Sequence, residues 1–120
     1  MSGLRYDAVI PKLFSSLPEA KVAYDLWDMA GDPLPYIVFG FLEGSFFTPA
    51  ILADRDSPLL VRIFAFLEEM AASQDTRVVE LLWVGLFEAW AADSGTFQKA
   101  LRGMGPRTKK LAKKAANKLK

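Results

Sequence analysis

Four carboxylates, Glu68, Glu69, Glu80 and Glu88, are the side chains of this sequence most able to do chemistry. Glu80 and Glu88 are eight residues apart, so on a helix they fall roughly on one face, and both interrupt an otherwise apolar run. Two carboxylates in a cleft exchange protons with a substrate, or they present negative charge to a basic partner. They also serve simply as the solvated edge of a buried helix, because acidic side chains are seldom fully buried without a partner. Asp54 and Asp56 form a second acidic patch. Asp54-Arg55-Asp56-Ser57 lacks the glycine and terminal Glu of a calcium loop, and it reads as a helix end followed by a cap.

The sequence contains no His and no Cys. Disulfides and thiolate metal sites are excluded, and the commonest general base and metal ligand are missing. The expectation is a protein that is not an enzyme, with no cofactor and no metal. A partner-binding role fits what remains.

The opposite charge gathers at the C-terminus. Residues 1–98 carry six cations against all fourteen acids, a net charge of −8; residues 99–120 carry nine cations and no acid, a net charge of +9. Lys109, Lys110, Lys113, Lys114, Lys118 and Lys120 make the tail a basic amphipathic helix. Such a helix binds nucleic-acid phosphates, or it folds back on an acidic body. The second arrangement divides the chain into an acidic helical domain over 1–108 and a basic helix over 109–120 docked on it, with Leu111, Ala115 and Leu119 buried. The tail has no aromatic residue to insert among lipids, so no membrane partner is expected. Gly103-Met104-Gly105-Pro106-Arg107 could seat a phosphate at a helix start, but a helix stop and restart explains the same residues.

Helices position all of these groups. Pro18, Pro49, Pro58 and Pro106 each stand where a first helical turn tolerates proline, with Thr48 and Ser57 as candidate N-caps. Helices are predicted over Leu4–Ser16, Pro18–Ala30, Pro58–Ala72, Asp75–Ala92, Thr96–Arg102 and from Pro106. Val22, Leu26 and Trp27 supply the apolar stripe of the second. Leu59, Leu60, Ile63, Phe64, Leu67 and Met70 supply that of the helix from Pro58. Tyr36-Ile37-Val38-Phe39 has strand composition but no strand to pair with, so Tyr36–Phe47 reads as a buried helix bent near Gly40 or Gly44, with a short helix after Pro49. Asp75–Ala92 is apolar nearly all round and belongs at the centre; Trp83 and Trp90, seven apart, are placed on one core face. The fold class is all-α, an irregular bundle or short stack of six to eight helices. The N-terminus has no continuous apolar run, and Val78–Ala92 is too short and too charged to span a bilayer, so the expected compartment is the cytoplasm.

Three stretches carry a resemblance. Phe64-Ala65-Phe66-Leu67-Glu68-Glu69-Met70, then Val79-Glu80-Leu81-Leu82-Trp83-Val84-Gly85-Leu86-Phe87-Glu88-Ala89-Trp90, then Met104-Gly105-Pro106-Arg107-Thr108 together resemble a family of small bacterial helical proteins. That family is similar to the immunity proteins of polymorphic-toxin and contact-dependent inhibition systems. The resemblance covers residues 58–110 and does not include the lysine-rich extension. It implies an all-α fold and a cognate toxin domain as partner. Many such toxins attack nucleic acids through basic clefts, which an acidic surface complements. On that reading Glu68, Glu69, Glu80 and Glu88, with Asp54 and Asp56, make the contact. The alternative is a nucleic-acid-binding module that uses the lysine tail.

Overall fold

Short-range chemistry sets most of the helix starts. Ser57 accepts a hydrogen bond from the Leu60 N–H at 3.1 Å, Asp75 from Arg77 N–H at 3.1 Å and Asp93 from Gly95 N–H at 3.0 Å. Pro18, Pro35, Pro58 and Pro106 occupy first helical positions. The computed structural model describes residues 4–27, 34–53 and 57–118, and no strand occurs among them.

A 3-10 turn at Tyr6–Ala8 leads into α1 (Val9–Ser16), followed by α2 (Pro18–Trp27), α3 (Pro35–Leu42) and α4 (Thr48–Leu52). Next come α5 (Pro58–Ala71), α6 (Thr76–Leu82), α7 (Glu88–Ala91), α8 (Ser94–Gly103) and α9 (Pro106–Lys118). A π turn, Glu43–Phe47, joins α3 to α4, and a second, Trp83–Phe87, joins α6 to α7. The described residues therefore form seven continuous rods, within the expected six to eight.

The π turns have local causes. Pro49 cannot donate to the carbonyl four residues back, and its ring would crowd it; the wider turn relieves both, with the Thr48 N–H donating to the Glu43 carbonyl five residues back. The bend expected near Gly44 is thus a widened turn inside one helix. Thr48 is no N-cap: its hydroxyl donates to Glu43 Oε2 at 2.7 Å and accepts from Trp90 Nε1 at 2.9 Å. In the second π turn, Gly85 lies under Phe39, where an added Cβ would come 3.1 Å from the Phe39 Cβ. The absent side chain lets the two long rods cross closely.

The α6–α7 rod is the centre. Val78, Leu81, Leu82, Leu86, Phe87 and Trp90 are buried, and α3, α5, α8 and α9 all pack around it. Each π turn inserts one residue into the helical phase. Trp83 and Trp90 therefore do not share a face: Trp90 is buried and Trp83 only half-buried. The 18-residue rod Pro35–Leu52 is long and apolar enough to cross a membrane, with a mean hydropathy of 1.3. Here Val38, Phe39, Leu42, Phe46, Phe47 and Ile51 face the core.

Two expected core faces change. Among the described side chains of α2 the buried ones are Ala20 and Tyr24, while Val22 and Leu26 are exposed at 61% and 86%; that of Trp27 lies outside them. The contact of α2 is set by Tyr24, which packs against Phe14 with ring centroids 5.8 Å apart. An ion pair from Arg62 to Glu19 fastens α5 to α2 and holds the Glu19 carboxyl down at about 2. On α5 the core side chains are Ile63, Phe66, Leu67 and Met70, and Phe64 turns to a half-buried flank.

The basic helix is seated by small residues. Thr108, Ala112 and Ala115 are buried, against α5, α7 and the second π turn, whereas Leu111 is only half-buried. Leu119 lies outside the described residues, as do Asp54, Asp56 and Lys120.

Candidate functional site

The four glutamates do not converge. Glu68, at the end of α5, turns toward the start of α9. Its carboxylate accepts from the N–H groups of Arg107 and Thr108, each at 3.0 Å, and from the Thr108 hydroxyl at 2.8 Å. Burial pushes this carboxyl up, but those hydrogen bonds outweigh it and hold it below its ordinary 4.5. The helix start that sequence offers to a phosphate is thus filled by the protein's own anion. Close neighbours account for Gly103 and Gly105. A Cβ at Gly105 would fall on the Glu68 carboxylate, and one at Gly103 on the Phe64 ring. Glu69 is half-buried beside it and makes no hydrogen bond or ion pair among the described residues.

Glu80 and Glu88 face solvent on the central rod. In a plain α-helix, residues eight apart differ by about 80° of rotation; the residue inserted by the π turn reduces that to about 20°. The two carboxylates are therefore closely in line, with Val84 exposed at 43% between them. Arg77, on the same edge, is already engaged. Its guanidinium meets Asp75 at 3.1 Å and lies 5.1 Å from the centre of the Tyr6 ring. Arg77 and the Tyr6 N–H hold the Asp75 carboxyl down at about 2. Across from Glu80, the Tyr36 hydroxyl donates to Oε1 at 3.4 Å. Burial raises the Tyr36 pKa, and the charge of Glu80 adds to it.

Along α9, Lys110, Lys113, Lys114 and Lys118 are exposed and Lys109 is half-buried. None of these five forms an ion pair among the described residues. Among the described residues these lysines do not close onto the body's carboxylates within ion-pair distance; the helix is held by its Ala–Thr face and by Glu68.

No family model, curated protein or solved structure matches this chain.

Among the described residues, no group of three or more carboxylates is gathered as a metal would require. The arrangement offers two separated surfaces of opposite sign, one acidic with an apolar centre and one basic. Sequence reasoning missed the commitment of Glu68 to α9 and the Trp90–Thr48–Glu43 chain. Neither has a local signal, since their partners lie 40 and 42 residues apart.

Proposed function

We propose that this chain is an immunity-type protein that binds and neutralises a cognate toxin domain, a nuclease, through an acidic surface. The observation that carries the reading is the edge formed by Glu80, Val84 and Glu88: two carboxylates in line about an exposed apolar side chain, on the rod the other helices surround. A nuclease cleft is basic because it holds phosphates. Carboxylates presented there compete with substrate and speed encounter, while Val84 and the nearby Tyr36 ring supply area to desolvate. Glu68 drops out of the contact set because its hydrogen bonds are spent on α9. The action is stoichiometric, without catalysis, in the cytoplasm where such a toxin reaches nucleic acid.

The partner is sought in the C-terminal domain encoded by the adjoining upstream gene. Co-expression should restore growth and yield a 1:1 complex. The double variant Glu80→Lys/Glu88→Lys should weaken that complex about tenfold, chiefly through slower association, with an unchanged melting curve. Undiminished affinity in the double variant would remove the acidic edge from the mechanism. An adjoining gene whose product neither harms growth nor binds would remove the toxin.

A second reading, nucleic-acid binding, is favoured by one observation: the α9 lysines are exposed and outside any ion pair among the described residues. Deleting the helix would not test it, because Ala112 and Ala115 belong to the core. The clean variant is Lys110→Gln/Lys113→Gln/Lys114→Gln. If these residues neutralise phosphates, the slope of log affinity against log salt for generic duplex DNA should fall by about 3. No binding by the unaltered protein at low salt would end this reading.

A further inference from the structure

Between α5 and α8 the side chains leave a groove of 610 Å³ open to solvent. Its floor is the flank of α5, where Leu60, Val61, Phe64 and Ala65 present an almost unbroken apolar strip, and Lys99 and Arg102 of α8 line the opposite side. This is the size and make-up of a small-ligand site, apolar with few charged groups.

Leu60 and Phe64 also pack against the core, whereas Val61 and Ala65 are exposed and do not. Val61 is 70% exposed, and Phe64, which helical spacing assigns to the core, is held at the groove wall. The end of α8 passes so close to the Phe64 ring that residue 103 has room for no side chain. Among the described residues three charged side chains line the groove, the cations Lys99 and Arg102 and the anion Glu68. Arg102 is exposed and makes no hydrogen bond or ion pair among the described residues. The carboxylate lining the groove, Glu68, is turned to the N–H groups of α9 and offset by that helix start. An occupant with an apolar body and a single negative head satisfies both sides of the groove at once.

We propose that this groove binds a long-chain carboxylate, its hydrocarbon laid along Leu60, Val61 and Phe64 and its head at Arg102. The site is separate from the Glu80–Glu88 edge and does not depend on the toxin reading.

Titration calorimetry with octanoate, decanoate and dodecanoate, each below its micelle concentration, tests it. The expected result is 1:1 binding whose affinity grows about threefold per added methylene, since the groove covers much of the chain. Dodecyltrimethylammonium should bind far more weakly than dodecanoate. Arg102→Glu should weaken dodecanoate about fivefold, the scale of one rim charge. Ala65→Trp should fill the groove and abolish binding; Val61→Glu, at an exposed position, gives the same readout if the tryptophan variant does not fold. The proposal is overturned by the absence of a 1:1 isotherm, by indifference to chain length, or by equal binding of the cationic amphiphile. It is also overturned if the protein binds phosphatidylglycerol vesicles but not monomeric dodecanoate, because that result assigns the attraction to the lysines of α9.

Discussion

Replacing Trp90 with Ala should lower the unfolding free energy by about 3–5 kcal/mol, the largest stability change expected of a single substitution here. Trp90 is 1% exposed, and its ring packs 6.2 Å from that of Phe87. It is also the hinge of a polar chain in which its Nε1 donates to Thr48 and Thr48 donates to Glu43. The chain ties the two rods together beside their π turns. Trp90→Phe separates volume from hydrogen bonding. It keeps most of the buried ring, and the half-exposed Thr48 hydroxyl retains Glu43, so the cost should be about 1 kcal/mol. Urea denaturation with an unchanged slope is the measurement. Equal losses in the two variants would show that the Thr48 bond, not the buried volume, holds the rods together.

Glu68→Ala should cost about 2 kcal/mol at neutral pH, as expected for losing a charged helix cap that serves two N–H groups and a hydroxyl. Its pH dependence follows from the direction of the shift. The folded-state pKa of Glu68 is lowered from 4.5, so its contribution is complete above the unfolded value and fades as acid protonates the folded carboxylate. The stability gap between the unaltered protein and Glu68→Ala should be constant near neutrality and shrink below pH 4.5. A gap that widened in acid would mean that Glu68 is destabilising as a charge and that the cap is not its role. Because α9 carries the exposed lysines, the same variant should disturb that surface while leaving the Glu80–Glu88 edge in place.

Much of this fold was legible because its signals act over one or two turns. Proline at a first turn, Ser57 before Pro58 and the apolar wrap of Val78–Trp90 each fix a helix or its depth by local sterics and local hydrogen bonds. The Val22–Leu26 stripe was equally local and was overridden. A short helix with apolar residues on two sides can bury either, and Tyr24 packed against Phe14 decided for the other. Plain helical spacing separates Glu80 and Glu88 by about 80° of rotation, and their closer alignment depends on the π turn between them.

By itself, then, the sequence determined an all-helical chain, an acidic body with a basic end, and a chemistry without imidazole or thiol. These follow from composition and from interactions spanning three or four residues. Only the tertiary structure decided which carboxylates remain at the surface. Glu68 and Thr108 are 40 residues apart, and no pattern in either neighbourhood announces that one will cap the other. The meeting depends on glycines at 103 and 105 that let α5 and the start of α9 approach closely, and on an unpaired helix start that some anion must satisfy. Once Glu68 is taken for that purpose, Glu80 and Glu88 remain at the surface among the described residues.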